Sequence, residues 1–240
     1  MRNLDLLGLV ADAALFFVPF LFALCFHEFA HGWVARLKGD RTAEQMGRLT
    51  LNPMAHADLV GTIILPLAAL MTHLPLFGWA KPVPVDPRNF KNPKTDMFWV
   101  AAAGPLSNVL LAFVGALLLA AVFVAAPEAL DATPLQFASF RARSPGLFGA
   151  MKMLYMFLQI NLVLALFNLI PIAPLDGSKV LARFLPYRVN RWLEEKEQIL
   201  AIGLLVLVVL GGLTVLQAPV HAGVNALEGL SRAIAGLFIA

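Results

Sequence analysis

One cysteine, no internal repeat and no polar stretch longer than residues 36–58 mark this 240-residue chain by what it lacks. The lone Cys25 excludes an internal disulfide and a thiolate zinc cluster. It lies two residues before His27, where helical side chains point about 200° apart, and reads as a small buried apolar residue. Charge is scarce as well. Only 14% of residues are Asp, Glu, Lys or Arg, against 60% hydrophobic, too little polarity to coat a water-soluble globule. The formal net charge of +3 is not a nucleic-acid footprint; it reads as loop lysines and arginines facing a cytoplasm.

What the chain has instead is long apolar runs, with a mean hydropathy of +0.78. Residues 97–127, 153–175 and 198–227 contain no Asp, Glu, Lys or Arg, and 13–27 is equally clean. A bilayer core roughly 30 Å thick needs about 20 apolar residues in a helix, so three of these runs can span alone. The fourth does so if Leu6–Val10 is included and Asp12 is tolerated near its end. The first run continues past the short core of a signal peptide and leads into His27 and Glu28, so it is expected to be retained.

The expected fold is an all-α polytopic membrane protein, a single membrane-embedded domain over residues 1–240. Helices are expected at 5–37, 96–126, 147–170 and 196–217, within a bundle of about five transmembrane helices. Segment 222–239 places Val224, Leu227, Leu230, Ile234 and Leu237 at helical spacing, with Glu228 and Arg232 off that stripe, as in an amphipathic or capping helix. Segment 59–74, interrupted by Pro66 and followed by Pro75, is ambiguous. Loops 36–58 (Arg36, Lys38, Arg41, Arg48), 80–96 (Lys81, Arg88, Lys91, Lys94) and 176–197 (Lys179, Arg183, Arg188, Arg191, Lys196) are basic, whereas 128–146 has only Arg141 and Arg143. The basic loops share a cytoplasmic face only if 59–74 enters and returns, so a re-entrant segment with a β-hairpin is expected over about 59–87. Val83-Pro84-Val85 reads as its edge strand.

His27-Glu28-Phe29-Ala30-His31 carries the chemistry. Four residues apart on a helix, the histidines share a face and both imidazoles can reach one tetrahedral zinc. Glu28 leaves that face at an angle unsuited to ligation, and can take a proton from a water that the metal acidifies. The bland alternative is a polar cluster at an interface, with Arg36 and Lys38 nearby. A catalytic zinc usually keeps three protein ligands, and Asp176 is the outstanding candidate for the third. It follows an uncharged helix, two prolines (Pro171, Pro174) and precedes Gly177, so the chain can turn its carboxylate back into the bundle. Its alternative role is a helix N-cap. His56 is expected to be an interfacial hydrogen-bonding residue, with an extra or inhibitory metal ligand as the other reading.

These motifs make the chain similar to the site-2 protease family of intramembrane zinc metalloproteases (M50), in a short bacterial form without a PDZ or nucleotide-sensing domain. The resemblance rests on His27-Glu28-Phe29-Ala30-His31-Gly32, Gly104-Pro105-Leu106-Ser107-Asn108, and Asn168 through Gly177. Gly78-Trp79-Ala80-Lys81-Pro82-Val83-Pro84-Val85 resembles the family's membrane-entering hairpin. It implies one zinc per chain on His27, His31 and Asp176, Glu28 as base, and cleavage of a partly unwound transmembrane protein substrate. It also implies that Asn168 assists substrate or oxyanion binding, although a carbonyl-capping amide fits as well. Asn108 reads as interhelical hydrogen bonding beside the close packing that Gly104 permits. The expected location is the bacterial inner membrane with the site opening toward the cytoplasm; the partners are substrate and lipid, and no homo-oligomer is argued. A non-proteolytic zinc-binding protein or transporter with the same ligands, or an enzyme acting on lipid, are the competing functions.

Overall fold

The computed structural model describes residues 6–72, 78–130 and 134–239. Its main helices are α1 (Leu6–Leu37), α2 (Leu65–Thr72), α3 (Pro93–Ala125), α4 (Pro134–Arg143), α5 (Pro145–Asn168), α6 (Asp176–Ala182), α7 (Tyr187–Glu195), α8 (Glu197–Val209) and α9 (Gln217–Ile239). Among the described residues there is no β-strand. Among the described residues, three helical stretches are long and apolar enough to cross a membrane: Ala13–Leu37, Pro93–Ala125 and Pro145–Asn168. A fourth span results only if Glu197–Val209 and Gly212–Ile239 are one broken crossing. The described residues thus show three or four of the about five spans expected. The expected helix 196–217 stops at Val209, because Gly211 takes a left-handed conformation (φ 85°) that ends a helix.

The chain divides into two compact units. The first comprises Met1–Phe20, Val109–Leu162 and Ala218–Ala240. Its core is a stripe on α3, Ala112, Ala116, Leu119 and Phe123, recurring every three to four residues along one face. This stripe packs with Phe140 of α4, Met151 and Leu158 of α5, and Ala235 of α9. Inside a membrane, lipid is as apolar as leucine, so association depends on close packing and interhelical hydrogen bonds. Both are present. Small alanines line the contact, and the Ser231 hydroxyl bonds the Ala116 carbonyl (2.8 Å), a cross-helix bond of the kind worth about 0.6 kcal/mol on average. Arg232 pairs with Glu228 (2.6 Å) and also donates to the Leu130 carbonyl. α9 is therefore a packed helix, on a face that overlaps the expected stripe at Leu227 and departs from it at Leu237. Its buried residues are Val220, Ser231 and Ala235, while Leu237 is exposed. Close approach favours the small side chains, and the large one is left for lipid.

The second unit comprises Leu21–Asn108 and Val163–Gln217. Past the end of α1, the buried Asp40 carboxylate accepts from Thr42 (backbone N–H and hydroxyl), Asn89 and the Asp86 N–H. Burial pushes this carboxyl's pKa up, but those bonds outweigh it and hold the group below its ordinary value. The result ties the turn after α1 to the segment that precedes α3.

The expected re-entrant hairpin takes another form. Leu59–Ile64 is a π-helix, started by Asp58 accepting from the N–H groups of Val60 and Gly61, and it runs into α2. Residues 73–77 of the expected hairpin lie outside the described residues. Residues 78–86 form no regular secondary structure, and their hydrogen bonds go to no strand among the described residues. The Trp79 N–H donates to the Gly61 carbonyl, the Lys81 N–H to the His56 carbonyl, and Arg48 to the Lys81 and Pro82 carbonyls. Pro82 and Pro84 remove the donors that a continuous ladder needs. Glycine permits the approach: a Cβ on Gly78 would sit 2.3 Å from the Gly61 carbonyl oxygen.

Candidate metal centre

All the residues of interest lie in the second unit. α1 carries His27, Glu28 and His31, all buried, with His27 only 5% exposed. Burying two imidazoles and a carboxylate among apolar helices costs several kcal/mol unless each finds a partner. Each does. His27 Nδ1 lies 2.6 Å from Asn108 Oδ1, and His31 Nδ1 lies 2.7 Å from the Val100 carbonyl oxygen. Both partners are acceptors, so both Nδ1 atoms donate and both Nε2 atoms keep a lone pair.

Those lone pairs point at Asp176. Its Oδ2 is 3.1 Å from His27 Nε2 and 3.2 Å from His31 Nε2. The local chain explains how it gets there. α5 ends at Asn168, and residues 169–175 turn through Pro171 and a cis Ala173–Pro174 bond before α6 opens at Asp176. Leu175 is the N-cap residue, and no side chain caps the helix, so the carboxylate is directed at the histidines and not at its own helix end. Gly177 lets α6 press against the end of α5: a Cβ there would lie 2.3 Å from the Leu169 carbonyl oxygen.

Do these residues fit a metal? One ligand atom from each of the three lies within 4.8 Å of the other two. Bonds of roughly 2.0–2.1 Å at tetrahedral angles require ligand atoms about 3.3 Å apart, close to the two separations seen here. Space is kept open as well. A Cβ on Gly104 of α3 would stand 2.4 Å from His31 Nε2 and 2.6 Å from His27 Nε2, so only glycine leaves room beside the converging atoms. Three lone pairs turned on one point, in a cradle that a methyl group would fill, is an arrangement that a cation relieves.

Glu28 does not join this group. Its Oε2 accepts the Val83 N–H at 2.7 Å, from the segment that lies along α1. Val83 also packs beside Gly32, where an added Cβ would meet its Cγ1 at 3.1 Å. Asn168 donates from Nδ2 to the Leu164 carbonyl (3.0 Å), one turn back in its own helix. His56 is buried, its Nε2 donating to the Thr50 carbonyl (2.8 Å), and it is not among the residues grouped for a metal. Cys25 is buried, as its position suggests.

Residue-by-residue reading understated Gly104, Asn108, Val83 and the Val100 carbonyl. The signal for two of them was present: Gly104 and Asn108 are four apart on one helix, the same spacing as the histidines they meet. Asn108→Ala is expected to weaken zinc affinity by about 10–100-fold, the usual cost of losing an outer-shell partner, while Asn108→Asp retains most of it. Competition against a chelating dye reads both.

The chain matches the model of Peptidase family M50 over residues 15–210. It is also 37% identical over 218 residues to "Putative zinc metalloprotease YwhC" of Bacillus subtilis (strain 168), a match covering 90% of each chain. The chain belongs to peptidase family M50. No solved structure matches it. As an M50 peptidase it is a zinc metalloprotease and a membrane protein, in keeping with its apolar helices. Within this M50 chain, the group His27, His31 and Asp176 supplies the two imidazoles and one carboxylate that zinc takes in catalytic sites.

Proposed function

We propose that this M50 peptidase is an intramembrane endopeptidase, hydrolysing peptide bonds within or beside transmembrane segments of other membrane proteins. His27, His31 and Asp176 hold the zinc and Glu28 is the general base. The placement of Glu28 carries the reading: one residue from His27, buried, and outside the group of three. A zinc-binding protein without proteolysis has no use for a carboxylate held there.

Bound at these residues, zinc would supply Lewis acidity, bringing a coordinated water toward a pKa of roughly 7 and polarising the scissile carbonyl. The rest falls to the chain. Glu28 accepts a proton and returns it to the departing amine. The Val83 N–H fixes one carboxylate oxygen, which leaves Oε1 to meet the water. Asn168, with one amide hydrogen given to Leu164, has a second to offer the substrate oxyanion. The basic character of loops 36–58, 80–96 and 176–197 supports a cytoplasmic orientation of this end, with water entering from that side.

Val83→Pro removes the donor to Glu28, in a segment that already holds Pro82 and Pro84. It is expected to lower kcat about tenfold or more, since a hydrogen bond to a charged group contributes about 1.5–3 kcal/mol. Val83→Ala, which retains the N–H, should stay near wild type, and zinc content should be unchanged in both. The function itself is tested by co-expression with single-span membrane proteins and mass spectrometry of the products. New termini should fall within or at the border of the apolar segment; cleavage confined to distant soluble regions would reject the proposal.

A further inference from the structure

Away from the metal, a cavity of about 560 Å³ opens between the start of α3 and the α6–α7 corner. This is within the size range of small-molecule sites. Its charged lining is Lys94, Lys179, Arg183 and Arg191 against Glu194 and Glu197. Two of the cations are committed: Lys94 donates to the Leu185 carbonyl, and Arg191 pairs with Glu195. Lys179 and Arg183 meet no carboxylate among the described residues, and both are exposed at the cavity. Four residues apart, they share a face of the turn that continues α6.

The surface of α7 tells at what level this cavity sits. Tyr187, Asn190, Arg191, Leu193 and Glu194 line the cavity, and no residue of α7 is buried. Phe184, Tyr187 and Trp192 stand 71%, 75% and 54% exposed, beside the exposed Arg188 and Arg191. Exposed aromatic residues interleaved with arginines suit the boundary between headgroups and acyl chains. What reaches the cavity therefore comes from the headgroup layer.

We propose that this cavity binds the headgroup of an anionic phospholipid. Arg183 takes the phosphate with its planar fork and Lys179 as a point charge, the two commonest phosphate donors. The acyl chains leave along Phe184 and Trp192. The bound lipid would lie on the helix whose first residue is Asp176, and it needs no assumption about peptide cleavage.

The test uses the full-length, zinc-loaded protein, delipidated in mild detergent, and native mass spectrometry with phosphatidylglycerol or phosphatidylcholine of identical acyl chains. Phosphatidylglycerol should be retained at about tenfold higher occupancy. The double variant Lys179→Gln/Arg183→Gln should fall to the phosphatidylcholine level with zinc content and melting temperature unchanged. Arg188→Gln/Lys196→Gln, which removes two neighbouring charges that do not line the cavity, should keep the preference. Equal retention of the two lipids by the wild type overturns the proposal, and this comparison requires no variant to fold. So does unchanged preference in the first double variant. Displacement of the lipid by millimolar inorganic phosphate would assign the cavity to a free anion, and displacement by a soluble hexaglutamate peptide to an acidic protein segment; either outcome overturns it.

Discussion

Gly104→Ala should leave the protein folded but without zinc, and its cleavage activity should fall below detection. The added Cβ would stand 2.4 Å from His31 Nε2 and 2.6 Å from both Cε1 and Nε2 of His27, where real Cβ atoms essentially never come within 3.0 Å. The rings have little freedom to withdraw. Their Nδ1 atoms are held at 2.6 and 2.7 Å by Asn108 and the Val100 carbonyl. Turning either ring breaks its buried hydrogen bond, at about 1–3 kcal/mol, and takes Nε2 off the point where the ligand atoms converge. Metal analysis of the purified variant should give close to zero zinc per chain against one for wild type. Gly115→Ala is the matched control on the same helix. Its Cβ would meet only side-chain atoms, Phe157 Cδ1 at 2.9 Å and Leu158 Cδ2 at 3.1 Å, which can shift, so zinc and activity should persist. Full zinc in Gly104→Ala would mean that the metal sits elsewhere.

Asp176→Ala should be as severe by a different route. Space remains, but the only carboxylate of the three-residue group is gone. Two imidazoles on one helix turn then face the metal alone. Losing an outer-shell partner costs roughly 10–100-fold in affinity, and losing a ligand should cost more. Competition with a chelator should show zinc affinity lowered by over 100-fold. Since Asp176 caps no helix, the fold has little other use for this carboxylate, and the melting temperature of the metal-free forms should be similar. Zinc retained at wild-type affinity would remove Asp176 from the site.

The candidate metal site was legible in the sequence because much of its information is local. His27 and His31 are related by helical spacing alone, and two prolines and a glycine around Asp176 announce a turn beside a charge. That the two meet across 149 residues of chain was an inference, and the distances of 3.1 and 3.2 Å now place them together. The parts that sequence did not reveal depend on backbone groups and on small residues. The Val83 N–H and the Val100 carbonyl have no side-chain signature, and Gly104 acts through the atom it lacks. The same limit explains the fold. Apolar runs marked α1, α3 and α5 to within a few residues, whereas the packed face of α9 was read only in part: Leu227 packs against the core, but the most buried residues include Ser231 and Ala235, because membrane packing favours small side chains. Val83-Pro84-Val85 alternated like an edge strand, but Pro82 and Pro84 lack donors, the Val83 N–H goes to Glu28, and the Gly61–Gly78 contact joins the segment to the π-helix.

The most direct measurement reconstitutes the purified enzyme and a cleaved single-span substrate in the same vesicles and compares wild type with Glu28→Gln, with zinc determined in both. Glutamine keeps an oxygen for the Val83 N–H and leaves the ligands untouched, so both proteins should carry one zinc per chain. Cleavage by the variant should fall by about 10²–10⁴-fold, the contribution of a positioned general base. Equal rates at equal zinc content would contradict the assignment of Glu28.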